Sequence, residues 1–122
     1  MEAIFERLNG VISVVSGYAG GQKENPTYQE VCGGDTGHAE VIQIHFESGC
    51  VTLEDILDVF WQAHDPTSLN RQGNDIGTQY RSTIMPQNEE QREIAFKSMK
   101  EWAGRFDSPI TTTIEPLNAF YE

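Results

Sequence analysis

At 122 residues the chain can bury one hydrophobic core and is too short for two, so a single domain over residues 1–122 is expected. Hydrophobic residues make up 38% and charged ones 22%, an ordinary globular balance, and no apolar run approaches the ~20 residues that span a bilayer. The net charge of −11 repels phosphates and argues against nucleic acid or anionic membranes as partners, while two cysteines and no charged-then-apolar leader suggest a reduced, cytoplasmic setting.

Met1, Ile4, Phe5 and Leu8 share one face at helical spacing, which predicts a helix over residues 1–9 closed by Gly10. Val11 to Tyr18 is rich in β-branched residues and reads as a buried strand. Residues 19–37 form a long glycine-containing loop, kept ordered by Tyr28 and Val31. From His38 to Phe46 a second strand carries Glu40, Ile42, Ile44 and Phe46 on one side.

Thr52 opens a helix, with Asp55 placed three residues on for a capping box, and Asp65-Pro66 ends it. Leu53, Ile56, Leu57, Phe60 and Trp61 form its apolar stripe. A polar loop over 66–78 leads to a third strand, Gln79 to Met85. A helix from Asn88 to Gly104 and a strand from Ile110 to Glu115 follow, and the chain then stops at Phe120-Tyr121-Glu122. One strand ahead of residue 1 would complete a β-α-β-β-α-β unit, so the expected class is α+β: a ferredoxin-like sandwich with a mixed sheet whose first strand is missing.

Two places could carry chemistry. Glu40 starts a strand among apolar neighbours, where desolvation raises a carboxyl's pKa and makes it a proton donor, although most strand-edge glutamates only face water. The run 73–80 delivers Tyr80 onto a strand, where a tyrosine is more often half-buried packing. His38, Glu40, His64 and Asp65 are metal-ligand types without metal-ligand spacing, and His64 suits a helix C-terminus instead. Gly17 to Gly21 lacks the lysine and following helix of a phosphate cradle. Cys32 could be a nucleophile, but a small packed thiol without a helix N-terminus to activate it is the commoner case.

Taken together, Gly17-Tyr18-Ala19-Gly20-Gly21, Asn25-Pro26-Thr27-Tyr28, Glu30-Val31-Cys32 and Thr36-Gly37-His38-Ala39-Glu40 closely resemble the A-type peptide methionine sulfoxide reductases. So do Phe60-Trp61, His64-Asp65-Pro66-Thr67, Arg71-Gln72-Gly73-Asn74-Asp75 and Gly77-Thr78-Gln79-Tyr80-Arg81-Ser82. The motifs run in order along essentially the whole chain.

The resemblance implies reduction of the S epimer of methionine sulfoxide, free or in proteins. It implies that Glu40 protonates the sulfoxide oxygen, that Tyr28 and Tyr80 hydrogen-bond that oxygen, and that Asp75 is a fourth polar member of the site. It implies no cofactor and no metal, with thioredoxin or another thiol as reductant. The family's nucleophile sits in a Gly-Cys-Phe-Trp motif ahead of the first helix, and these 122 residues do not contain that motif. The expectation is therefore a partial domain, inactive alone, that keeps the acid and the oxygen clamp without the attacking atom. Its alternative is a module that binds oxidised methionine without turnover. The strand over 38–46 is also expected to lack a neighbour on one edge.

Overall fold

The computed structural model describes residues 2–122. The longest pairing is an antiparallel ladder between β1 (Val11–Ala19) and β2 (Ala39–Phe46), which aligns Val14 with Ile44, Ser16 with Ile42 and Tyr18 with Glu40. Alternation along β2 follows from the period of two, and a shift in register between Val11 and Ser13 marks a bulge at the start of β1. The first helix, α1 (Glu2–Glu6), is shorter than its periodicity suggests; Met1 lies outside the described residues. Gly10 takes φ +97°, as the reading of a positive-φ stop required, and turns the chain from α1 into β1.

On the far side of β1 lies β7 (Phe120–Tyr121), which pairs Tyr18 with Tyr121 and Ala19 with Phe120. The sequence suggested no strand there. Gly17 makes the approach possible, because a Cβ at that position would stand 2.4 Å from the Tyr121 carbonyl oxygen. The order in this sheet is β2-β1-β7, so among the described residues the outer edge of β2 carries no partner strand, in keeping with the expected open edge.

The long loop is only partly a loop. Within it α2 (Tyr28–Cys32) is started by a capping box, Thr27 Oγ1 accepting from the Glu30 N–H while Glu30 Oε1 accepts from the Thr27 N–H. The next helix, α3 (Leu53–Ala63), has the capping box expected at Thr52 and Asp55. Its apolar face joins Phe5 and Val51 in the core, with Val14, Ile42, Ile44 and Phe46 packed against them. Trp61 is fully buried and donates its indole N–H to Ser98 Oγ at 2.9 Å on α4 (Glu89–Ala103), which Asn88 caps at its start.

The polar loop over 66–78 folds into a hairpin of β3 (Arg71–Gln72) and β4 (Asp75–Ile76). The strand anticipated over Gln79–Met85 is a 3-10 turn, Thr78–Tyr80, followed by the two residues of β5 (Thr83–Ile84). That strand pairs in parallel with β6 (Thr113–Ile114), all that remains of the Ile110–Glu115 strand. Antiparallel and parallel pairing coexist, as the α+β class with a mixed sheet requires, but they are divided among three small sheets. No helix among the described residues is long and apolar enough to cross a membrane.

His64 ties α3 to the β5–β6 pair. Its Nδ1 lies 2.7 Å from the Phe60 carbonyl oxygen, which can only accept, so Nδ1 carries the proton. Nε2 then accepts from Ser82 Oγ at 2.7 Å, and Ser82 meets Thr112 Oγ1 at 2.6 Å. Burial, the largest influence, holds the His64 pKa below the ordinary 6.5. With the folded pKa depressed, the native state binds fewer protons than the unfolded one. The contribution is complete above about pH 6.5 and is lost as pH falls through that value toward the folded pKa. The stability difference between wild type and His64→Gln should therefore shrink from pH 7 to pH 5 in thermal unfolding; a difference constant over that range would contradict a neutral, buried imidazole.

Candidate active site

Tyr28, Glu40, Asp75 and Tyr80 come from four separate segments and line one open trough of about 1280 Å³. Each is delivered by local geometry. Glu40 follows Ala39 at the start of β2, directly opposite Tyr18. Tyr28 is the first residue of α2, set by the Thr27 cap. Asp75 pairs with Gln72 across the β3–β4 hairpin, and both side chains line the trough. Tyr80 ends the 3-10 turn rather than lying on a strand as expected.

Two buried side chains hold these segments together. His38 is 2% exposed; its Nδ1 accepts from the Gly21 N–H at 3.0 Å and its Nε2–H donates to the Lys23 carbonyl at 2.6 Å. It therefore pulls the start of the 20–37 segment back against the end that leads into β2, a positional duty that leaves neither ring nitrogen for a metal. Gln79 donates from Nε2 to the Cys32 carbonyl at 3.1 Å, fastening the turn that carries Tyr80 to the helix that carries Tyr28.

Charge and burial give the cluster a proton-donating character. Burial, and secondarily the Asp75 carboxylate, push the Glu40 carboxyl above its ordinary 4.5. The Tyr80 phenol is raised by burial first, with the charges of Glu40, Cys32 and Asp75 acting in the same direction. Tyr28 is raised chiefly by the neighbouring Cys32, then by the charges of the other groups around it. All of these shifts favour the protonated, hydrogen-bond-donating form. The pocket offers phenolic O–H groups and a carboxyl inclined to hold its proton, which is what an acceptor oxygen needs when it must leave as a hydroxyl.

Two further residues stand beside the four: Tyr18, to which the sequence assigns no role, and Cys32, weighed there only as a nucleophile. Tyr18 lines the trough beside Glu40, and its phenol is raised by burial, then by Glu40 and Cys32. The ladder register signals it, since residues paired across two strands face the same side. Cys32 ends α2 half-buried and helps to raise the phenols of Tyr28 and Tyr80, but it has no helix N-terminus behind it. Among the described residues no three His, Cys, Asp or Glu side chains gather as a metal site.

The family model described as peptide methionine sulfoxide reductase matches residues 1–122. The peptide methionine sulfoxide reductase MsrA of Saccharolobus solfataricus is 52% identical over 121 residues, covering 99% of this chain and 68% of its own. Methionine sulfoxide reductase A of Corynebacterium diphtheriae superposes with a TM-score of 0.93 at 36% identity, over 98% of this chain and 62% of that one. Mxr1 from Saccharomyces cerevisiae in complex with Trx2 superposes with a TM-score of 0.70 at 25% identity, over 96% and 66% respectively. The chain thus spans about two thirds of the length of the proteins it matches.

Removing the Asp75 charge separates the two influences on Glu40. Asp75→Asn should lower the Glu40 pKa, followed by carboxyl NMR titration, yet leave it above the ordinary glutamate value because burial is the larger cause. An unmoved Glu40 would show that the two carboxylates do not sense one another.

Proposed function

Because the chain belongs to the peptide methionine sulfoxide reductase family, we propose that it serves reduction of the S epimer of methionine sulfoxide, free or in proteins. The observation that carries this reading is the convergence of a carboxyl of raised pKa with two phenols in one trough. Tyr28 and Tyr80 donate to the sulfoxide oxygen, whose partial negative charge prefers such donors. Glu40 transfers its proton to that oxygen as the S–O bond breaks. Asp75 keeps Glu40 protonated in greater proportion at neutral pH, since a second full negative charge beside it is unfavourable.

In the net step a thiol and the sulfoxide give the sulfide and a sulfenic acid, the oxygen passing from one sulfur to the other. A second thiol then converts the sulfenic acid to a disulfide and water, and thioredoxin or another dithiol reduces the disulfide. The likeness to Mxr1 bound to Trx2 supports thioredoxin as the partner, and none of these steps calls for a prosthetic group. We read residues 1–122 as one reductase domain and place it in the cytoplasm, where Cys32 and Cys50 stay free.

The direct test supplies the family's Gly-Cys-Phe-Trp segment by fusing this chain to the corresponding N-terminal part of a relative, and follows sulfoxide reduction in single turnover. Glu40→Gln should slow the step by about 10²–10⁴-fold at pH 7, the usual contribution of a general acid. The deficit should narrow as pH falls, because hydronium then supplies the proton. An unchanged rate at neutral pH removes Glu40 from the donor role.

The phenols are tested as a pair in the same fusion. Tyr28→Phe or Tyr80→Phe alone leaves one donor on the oxygen, so the double variant should lose more than the product of the single losses. Strict multiplicativity, or no loss in either, would reduce both tyrosines to packing.

A further inference from the structure

Arg81 follows Tyr80 in the chain and lines the trough, and each of its three guanidinium nitrogens already donates a hydrogen bond. Nε and Nη2 donate to the two carboxylate oxygens of Glu115 at 2.9 and 3.0 Å, a bidentate pair. Nη1 donates to the Thr78 carbonyl at 2.8 Å, the first residue of the turn that ends in Tyr80. Glu115 also receives Thr113 Oγ1 at 2.5 Å, with the Thr83 hydroxyl 3.2 Å away, which anchors it to the β5–β6 pair. Gly20, directly after β1, packs beneath: a Cβ there would stand 2.9 Å from Arg81 Nη2 and 3.3 Å from Glu115 Oε1.

The bridge therefore joins the strand pair 83–84 and 113–114, the turn after β1 and the turn that aims Tyr80. Both partners are mostly withdrawn from water, at 12% and 26% side-chain exposure, so the pair is not a solvated surface contact that salt would dissolve. Glu115 does not itself line the trough. We propose that Glu115 is a positioning residue for sulfoxide recognition: through its bidentate hold on Arg81 it fixes the Thr78–Tyr80 turn and so the direction of the Tyr80 hydroxyl. The proposal rests on the reading of Tyr80 as a donor to the sulfoxide oxygen. A longer-range polar anchor of this kind suits a 3-10 turn, whose own hydrogen bonds are few and poorly aligned.

The test compares binding of N-acetyl-methionine sulfoxide with that of N-acetyl-methionine, by NMR titration of the chain itself. The two probes differ only in the oxygen. Glu115→Gln should weaken sulfoxide binding by about 2- to 10-fold, the worth of one misdirected hydrogen bond, and leave the sulfide unchanged. Glu115→Asp, which keeps the charge, should recover part of the loss. In a Tyr80→Phe background Glu115→Gln should add nothing. Equal weakening of both probes would make Glu115 merely structural and overturn the assignment, as would full sulfoxide affinity in Glu115→Gln while Tyr80→Phe is impaired. If Tyr80→Phe binds sulfoxide as well as wild type, the donor reading of Tyr80 fails first, and the role of Glu115 falls with it.

Discussion

The register of the β1–β2 ladder is the constraint on which the site depends. Pairing Tyr18 with Glu40 puts a phenol and a carboxyl side by side at the end of the longest strand pair in the molecule. A slip of one residue would send Glu40 to the opposite face and bring Val41 in its place. The apolar faces guard against that slip, because Ile42 and Ile44 pack on the Phe5–Val51–Ile56 core only in the observed phase. Two residues before Glu40, His38 reaches back to Gly21 and Lys23, so the residue that leads into β2 also gathers the segment that bears Tyr28.

Around that strand pair the polar groups, though open to solvent, also act on one another. Glu40 is raised by burial and by Asp75, and the phenols by burial, by Cys32 and by Glu40. Each carboxylate that loses solvation makes its neighbours hold their protons more firmly, so the donor character belongs to the set and not to any one member. The anchors are neutral amides and imidazoles on the inner side, such as Gln79 on Cys32, or a fully paired ion pair, Arg81 with Glu115. Among the described residues no positive charge acts on Glu40, where it would stabilise the carboxylate.

Where the fold was legible in the sequence, the signal was local. Thr52 with Asp55, Asn88 with the Gln91 N–H, and Gly10 at φ +97° each act over four residues or fewer, and each lies where its chemistry predicts. The capping box at Thr27 and Glu30 is equally local, but the glycines around it mask a five-residue helix behind a loop-like composition. Of the site, Glu40, Tyr28, Tyr80 and Asp75 were nameable from motif resemblance, while Tyr18 and Cys32 emerge as their neighbours only once the ladder and α2 are folded.

The sequence by itself determined α1, α3 and α4, the faces of β1 and β2 and the identity of the polar side chains, because periodicity and caps are written within a few residues. Tertiary structure decided where the short strands lie. Phe120–Tyr121 pairs with residues about a hundred positions earlier, on a Gly17 that leaves room for it, and Thr83–Ile84 runs parallel to Thr113–Ile114 across the whole of α4. Two-residue strands have too few alternating positions to show a period, and their hydrogen bonds depend on partners remote in the chain. The same holds for the Tyr80 turn, whose aim is set by Glu115, more than thirty residues downstream.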